Sequence, residues 1–237
     1  MQMIKQISAK LLREMREGEF CNSQRLPREI ELAKQMNVSR TLLRDVLAHL
    51  EQEGFVTRIH GVGTVINHHV IQVKNRMDIE TEFLDIILQN GYQSKISDIC
   101  VREEKADKYI SEKLQIGEGT EIIRVCRVCT ADGTRALYCE DVLEKRLIKE
   151  EYTLDDFRPS IFQFLKKCCQ LEVYMDLTQL HAVAANEVVA SALALSPGTP
   201  VLNMEEVDYD IWGKPVFYSS QFFVERFFEH TVMRKKL

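Results

Sequence analysis

Arg40 and Arg44 stand four residues apart in VSRTLLRDVL, with Thr41 beside them and Ser39 just ahead. On a helix that spacing puts two guanidiniums one turn apart on one face. Near a helix N-terminus such a pair suits the O6/N7 edge of guanine, or phosphates, in a major groove. A second chemical feature follows at His60, Gly61, Val62 and Gly63. Two glycines at such a tip let the backbone come close to a phosphate or a minor groove.

The elements around these residues can be read one at a time. Pro27 fits the first turn of a short helix, where its missing N–H costs nothing, with Ile30, Leu32, Ala33 and Met36 as its apolar positions. Asn37 is a helix stop, because Asn tolerates the left-handed conformation. Val38 plugs the turn, and Ser39 is the N-cap of the next helix. That helix runs to about Glu53 and stops at Gly54. Leu43, Val46, Leu47 and Leu50 recur at i, i+3, i+4 and i+7, so they form its buried stripe and leave Arg40 and Arg44 exposed. Phe55 to Ile59 reads as a strand, and Thr64 to Ile66 as its return past the glycine tip. Helix, turn, helix and then a hairpin is the order in which a winged helix reads DNA. A plain helical bundle with a basic face does not predict a glycine hairpin at this offset. The first residues form an amphipathic helix, with Ile4, Ile7, Leu11, Leu12 and Met15 on one face.

A length of 237 residues is enough for one or two domains, and 45% hydrophobic with 28% charged residues is ordinary globular composition. No apolar run approaches the roughly 20 residues that span a bilayer, and the N-terminus lacks a signal-peptide layout. A cytoplasmic location without membrane association is the expectation. The net charge of −5 divides unevenly: residues 1–70 carry 10 Lys+Arg against 8 Asp+Glu, the remainder 21 against 28. A DNA-reading half at only +2 must rely on a few placed arginines and on dimerisation more than on a broad basic patch. Seven cysteines, an odd number, argue for reduced thiols. Cys126 and Cys129 form a CxxC, but residues three apart on a strand face opposite ways and share a metal poorly. His68–His69 reads as a solvated linker pair. No metal and no cofactor are expected.

The expected division is a DNA-binding domain at 1–67, a polar linker at 68–78 and a second domain at 79–237. Ile79, Phe83, Ile86, Ile87 and Asn90 mark a helix ending at Gly91. Strand 94–103, helix 107–115, strands 120–130 and 134–142, helix 160–169, strand 172–184, helix 186–195 and strands 200–210 and 215–224 follow. An internal echo runs through them. Leu114, Ile116, Gly119, Thr120 and Ile122 recur 79 positions later as Leu193, Leu195, Gly198, Thr199 and Val201. Two helix-plus-hairpin units related by a pseudo-twofold predict one antiparallel sheet with helices packed on it; the period is too long for a solenoid.

LPREIELA, VSRTLLRDVL, LEQEGFV and GVGTVI resemble the motifs of the GntR family of bacterial transcription regulators. The resemblance implies that Ser39, Arg40, Thr41 and Arg44 contact DNA, with His60 and Gly61 at the wing. Where the family carries an arginine after its LPSE motif this chain has Ile30, with Arg28 nearby as the substitute contact, and the usual basic residue of the wing tip is Val62. Residues 79–230 resemble the UTRA (HutC-type) effector domain, which is similar to chorismate lyase in fold. The match runs through Arg124 to Gly133, Ser160 to Leu165, Ala190 to Leu202 and DYDIWGKPVFYSSQFF. The fold class expected is therefore α+β, an N-terminal winged helix-turn-helix followed by an antiparallel sheet with packed helices. The resemblance also implies a small-molecule pocket and a homodimer. In sugar-phosphate-binding relatives an R-x-R pair and a serine before a helix hold the phosphate, and a glutamate holds the sugar. Arg127 and Ser160 match the first arginine and the serine, Cys129 replaces the second arginine, and Glu140 aligns with the glutamate across a one-residue gap. A late acidic position is Phe217. These departures point to a pocket walled by Phe83, Phe217 and Phe223, and to an effector with one modest acidic or polar group and an apolar body.

The function expected is thus a transcription regulator, most often a repressor in this family, with a double-stranded operator of short inverted-repeat form and a small-molecule effector as partners. An enzyme is disfavoured: there is no nucleophile elbow, HExxH or phosphate loop. The aminotransferase-fused branch of the same regulators is excluded by length. A ligand-free architectural DNA binder leaves the large second domain without a purpose.

Overall fold

The computed structural model describes residues 2–79 and 81–235 and divides into two compact units, the first ending at Val73 and the second starting at Lys74. The first unit holds α1 (Gln2–Arg16), α2 (Glu29–Met36), α3 (Arg40–Gln52), β1 (Val56–Ile59), β2 (Gly63–Ile66) and a one-turn α4 (His68–Ile71). Asn37 ends α2 in the left-handed conformation, at φ 54° and ψ 47°, and its N–H bonds back into the helix. Ser39 Oγ then accepts from the Leu42 N–H at 3.1 Å and starts α3. Leu43, Val46, Leu47 and Leu50 are buried as a stripe, joined by Leu11 and Met15 of α1 and Leu32 of α2. Ile30 departs from its expected inward position. It is half exposed on the outer side of α2, because the buried face of this short helix is filled by Leu32, Ala33 and Met36.

The expected linker at 68–78 is not a uniform stretch. Residues 68–71 are helical, with Val70 and Ile71 buried, and His68 Nε2 lies 2.8 Å from the Ser23 carbonyl. These residues fall within the first unit, while residues from Lys74 belong to the second.

The second unit contains α5 (Phe83–Gln89), β3 (Ser94–Lys105), α6 (Lys108–Leu114), β4 (Glu121–Ala131), β5 (Thr134–Glu144), α7 (Ile161–Phe164) with a π-turn at Leu165–Cys169, β6 (Met175–Ala184), α8 (Glu187–Leu193), β7 (Pro200–Tyr209) and β8 (Pro215–Phe223). The helix expected from Ile79 begins only at Phe83, with Glu82 as its N-cap; Glu80 lies outside the described residues. The strands form one six-stranded sheet in the order β3-β4-β5-β8-β7-β6, every pairing antiparallel. That order is the same read from either edge if β3, β4 and β5 are exchanged for β6, β7 and β8. The 79-residue echo is therefore a structural twofold, and its hydrogen bonds repeat with it. Asp107 caps α6 through the Ile110 N–H, and Asn186 caps α8 through the Val189 N–H. Gln115 and Ala194, one in each copy, end those helices at φ 52° and 53°. The Gly119 N–H bonds to the Ala106 carbonyl and the Gly198 N–H to the Ala185 carbonyl, both at 2.8 Å.

Strand pairing sorts the side chains onto two faces. On one, Ile122, Val142, Val207 and Tyr218 pack beneath Ile110 and Leu114 of α6. On the other, Ile123, Val125, Leu143 and Phe217 meet Ile161, Phe164 and Leu165 of α7 and its π-turn. Cys126 lies opposite Cys100 and Glu140, while Cys129 is buried in the core on the other face. Burial pushes the Cys129 thiol up to about 11, so it is neither a ready nucleophile nor a ready metal ligand.

Leu47→Ala should destabilise the first unit by about 2–5 kcal/mol, as for other fully buried leucines. Hydrogen exchange resolved by peptide checks this: protection should fall across α1, α2 and α3 and stay unchanged in β4, β5 and β8.

Candidate DNA-reading surface and ligand cavity

In the first unit the sequence-derived set falls on the exposed side of α3 and on the hairpin. Ser39, Arg40, Thr41 and Arg44 are all exposed. Arg44 Nε pairs with Glu29 Oε2 of α2 at 3.2 Å. This exposed ion pair is worth little in water, so a phosphate or guanine can take the guanidinium over cheaply. Arg28 is the exposed N-cap of α2 and makes no capping bond with its side chain. His60 and Gly61 occupy the turn between β1 and β2. Gly61 and Gly63 sit at φ 77° and 109° with open space where a Cβ would be, so the backbone conformation, not crowding, requires glycine there. Two further arginines on this surface escaped the sequence reading. Arg25 donates from Nη1 to the Val62 carbonyl at the wing tip at 3.3 Å, and Arg58 on β1 pairs with Glu51 at 2.7 Å. Alternation would not have found Arg58, since it shares a strand face with the buried Val56; Thr57, Arg58 and Ile59 are all exposed because only the first residue of β1 is covered.

In the second unit a cavity of about 350 Å³ opens on the α7 side of the sheet. Its floor is built from β4, β5, β7 and β8: Arg127, Asp141, Met204, Glu206, Phe217, Ser219, Gln221 and Phe223 all line it. Its walls come from Glu82, Phe83 and Ile86 at the start of α5, from Ile161 and Phe162 of α7, and from Asp176 and Thr178 on β6. The segment from Asn75 to Ile79, with Thr81 and His230, closes the remaining side.

Phe83, Phe217, Phe223 and Arg127 are thus brought together. Phe83 and Phe223 meet edge to face with centroids 6.1 Å apart. Arg127, however, is not a free anion ligand. Its Nε and Nη2 donate to Asp141 Oδ2 at 3.0 and 2.6 Å, and Nη1 reaches the Phe157 carbonyl at 3.5 Å. Both partners are buried. Burial opposes the guanidinium charge, but the adjacent Asp141 outweighs it and holds Arg127 protonated. Ser219 Oγ donates to the other Asp141 oxygen at 2.7 Å.

Ser160 caps α7 as expected of a serine at that position, accepting from the Phe162 N–H at 3.1 Å. Its hydroxyl then donates to the Glu82 carboxylate. The anion at this helix start is the protein's own, so the expected pairing of Ser160 and Arg127 around a ligand acid is not formed. Burial raises the Glu82 pKa despite the Ser160 bond. Glu140 is a correction. It lies on the opposite face, accepting from the Tyr138 hydroxyl at 2.7 Å and from Arg124 at 3.2 Å. Its neighbour Asp141 holds the inward position, because adjacent strand residues face opposite ways. The residues that sequence reasoning missed follow the same parity: Ser219 and Gln221 alternate between Phe217 and Phe223, and Glu206 lies across from Ser219.

A winged helix with exposed arginines, joined in one chain to a unit with its own ligand-sized cavity, defines a ligand-responsive transcription regulator. Comparison with known proteins agrees. Residues 3–66 match the model of the bacterial regulatory proteins of the gntR family, and residues 89–228 match the UTRA domain. The chain belongs to the GntR family of transcription regulators, in its HutC-type, UTRA-bearing branch. A protein of Escherichia coli K12 named as a probable fructoselysine utilization operon transcriptional repressor is 24% identical over 216 residues, covering 91% of this chain and 88% of that one. The transcriptional repressor NagR of Bacillus subtilis is 23% identical over 204 residues, 86% and 83% of the two chains. The crystal structure of YydK, a possible regulator from Bacillus subtilis, superposes with a TM-score of 0.77 at 24% identity over 98% of this chain and 99% of that one. The N-terminal unit is a DNA-binding domain and the UTRA unit an effector-binding domain; the family is one of regulators, not enzymes. No helix among the described residues is long and apolar enough to cross a membrane.

Arg127→Ala should cost roughly 3–5 kcal/mol of stability, because it strands the buried Asp141 carboxylate. Exchanging both partners for apolar residues, Arg127→Met with Asp141→Leu, should recover most of that loss. Urea denaturation of the three proteins checks it; equal midpoints for wild type and Arg127→Ala would show that the pair carries no such weight.

Proposed function

We propose that the protein is a homodimeric repressor that binds a short inverted repeat and is switched by a small molecule in the UTRA cavity. One observation supports this above others. The stretch that immediately follows the DNA-binding unit is a wall of the cavity: Asn75, Arg76, Met77, Asp78, Ile79 and Thr81 line it, and the first unit ends at Val73. This wall is held to the C-terminal stretch by the Met77 N–H on the Thr231 carbonyl at 2.9 Å and the Thr231 N–H on the Asn75 carbonyl at 3.1 Å. A molecule in the cavity touches the chain that leads to the DNA-reading head. It switches the protein by binding one course of that chain better than another.

Arg40 and Arg44 are the proposed base readers, and Ser39, Thr41, Arg28, His60 and Gly61 the flanking backbone contacts. A head of charge only +2 over residues 1–70 binds one half-site weakly, and pairing two heads raises the effective concentration of the second. The UTRA sheet offers a surface for pairing. β6 is an edge strand on which Met175, Leu177 and Leu180 are at least half exposed, and such an edge calls for cover. The repressor role follows the names of the Escherichia coli and Bacillus subtilis relatives, and operator binding puts the protein in the cytoplasm.

The test is fluorescence anisotropy with operator fragments from upstream of the protein's own gene. Arg40→Ala and Arg44→Ala should each lose about 1–3 kcal/mol of discrimination against a mismatched half-site, with melting unchanged. Light scattering should give a dimer at micromolar concentration. Undiminished specificity in both variants, or a monomer with full operator affinity, would overturn the reading.

A further inference from the structure

We propose that the cavity selects a small organic cation, a protonated amine that also carries a hydroxyl or carbonyl oxygen, rather than an anion. The inference rests on the reading of the cavity as the effector site and names its ligand class. Five carboxylates line the cavity among the described residues, those of Asp78, Glu82, Asp141, Asp176 and Glu206, against the two guanidiniums of Arg76 and Arg127. Among these lining groups carboxylates outnumber guanidiniums. The two cations are also committed. Arg127 is tied to Asp141 in a buried pair, and Arg76 to Asp78. A carboxylate or phosphate ligand would bring a like charge into a partly desolvated space with no uncommitted guanidinium to receive it. An ammonium meets the reverse: the Glu82 carboxylate at the start of α5, the Asp176 carboxylate on β6, and the rings of Phe83, Phe217 and Phe223, whose faces attract cations.

A separate observation points to the oxygen. His230 lines the cavity, and its Nε2 is buried without a partner among the described residues. Its Nδ1 lies 3.0 Å from the Asn75 amide nitrogen. An amide nitrogen only donates, so Nδ1 is the acceptor and the ring proton sits on Nε2. Burial favours the neutral ring. A buried N–H of this kind calls for an acceptor, which a ligand hydroxyl or carbonyl supplies. The volume of about 350 Å³ fits a molecule of amino-acid or monosaccharide size.

Three probes with one skeleton isolate the charge: 2-amino-1-phenylethanol, 1-phenyl-1,2-ethanediol and mandelate, which differ in a terminal ammonium, hydroxyl or carboxylate. Each is titrated calorimetrically into the full-length protein. The amine should bind at least about tenfold more tightly than mandelate, a gap of about 1.4 kcal/mol. Asp176→Asn should close most of that gap, the amine losing affinity and mandelate gaining it. Mandelate binding as tightly as the amine, or no binding of the amine, overturns the cation assignment. Operator affinity is measured alongside, with Met204→Trp to fill the cavity. If mandelate binds, is excluded by Met204→Trp and shifts operator affinity, the effector site stands and the cation class falls. If the amine binds with the expected preference but operator affinity responds to neither ligand nor Met204→Trp, the ligand class stands and the effector role falls.

Discussion

The buried ion pair between Arg127 and Asp141 is the constraint around which the UTRA unit is organised. Two opposite charges have been taken almost wholly out of water, which is tolerable only when geometry and additional hydrogen bonds compensate. Here two guanidinium nitrogens meet one carboxylate oxygen, the Ser219 hydroxyl takes the other, and the Phe157 carbonyl receives the remaining Nη1. These contacts join β4, β5, β8 and the turn that leads into α7. They fix the relative positions of the elements that make the cavity floor. They also determine what the floor can recognise, because an arginine satisfied by the protein is unavailable to a ligand anion.

The duplicated topology explains why a cavity exists at one place on the sheet. The twofold relates α6 over β8 to α8 over β5, so one face is covered in equivalent fashion by both copies. The other face receives elements that the repeat does not duplicate. α5, α7 with its π-turn, and the stretch leading in from the DNA-binding unit come from outside the two helix-hairpin copies. They differ in length and leave a gap above Met204, Gln221 and Phe223. The symmetric face is therefore structural and the asymmetric face carries the chemistry.

Much of this was legible in the residues. The N-terminal unit could be read nearly position by position, since Asn37, Ser39 and Gly54 act locally: each sets a φ angle or supplies a cap whatever the rest of the chain does. The echo was equally legible, because a GT-turn before a strand needs the same glycine twice. The cavity's electrostatics were not. Arg127 was recognisable, but its pairing with Asp141 depends on which of two adjacent acidic residues faces inward. A one-residue ambiguity in strand register exchanges Glu140 for Asp141 and reverses the conclusion. Glu82 and Ser160 are 78 positions apart, and no local pattern announces that contact. His230, the 75–79 segment and Thr81 line the cavity only because they flank the sheet in space.

This arrangement divides the work of a switch. A ligand shifts a two-state equilibrium only through its differential affinity for the two states; moving it from 1:99 to 99:1 takes about 10⁴-fold. Contacts to the floor contribute little to that difference, since Arg127, Asp141 and Ser219 are locked to one another whether or not a ligand is present. On the proposed reading they contribute affinity and selectivity. On the proposed reading the contacts that can differ are those to the wall at 75–79 and to His230, a wall tied to the C-terminal stretch by the Met77–Thr231 and Thr231–Asn75 backbone bonds. The proposed switch thus draws affinity and response from different residues. Substitutions in the floor should alter which molecule is bound, and substitutions in the wall should alter what binding does.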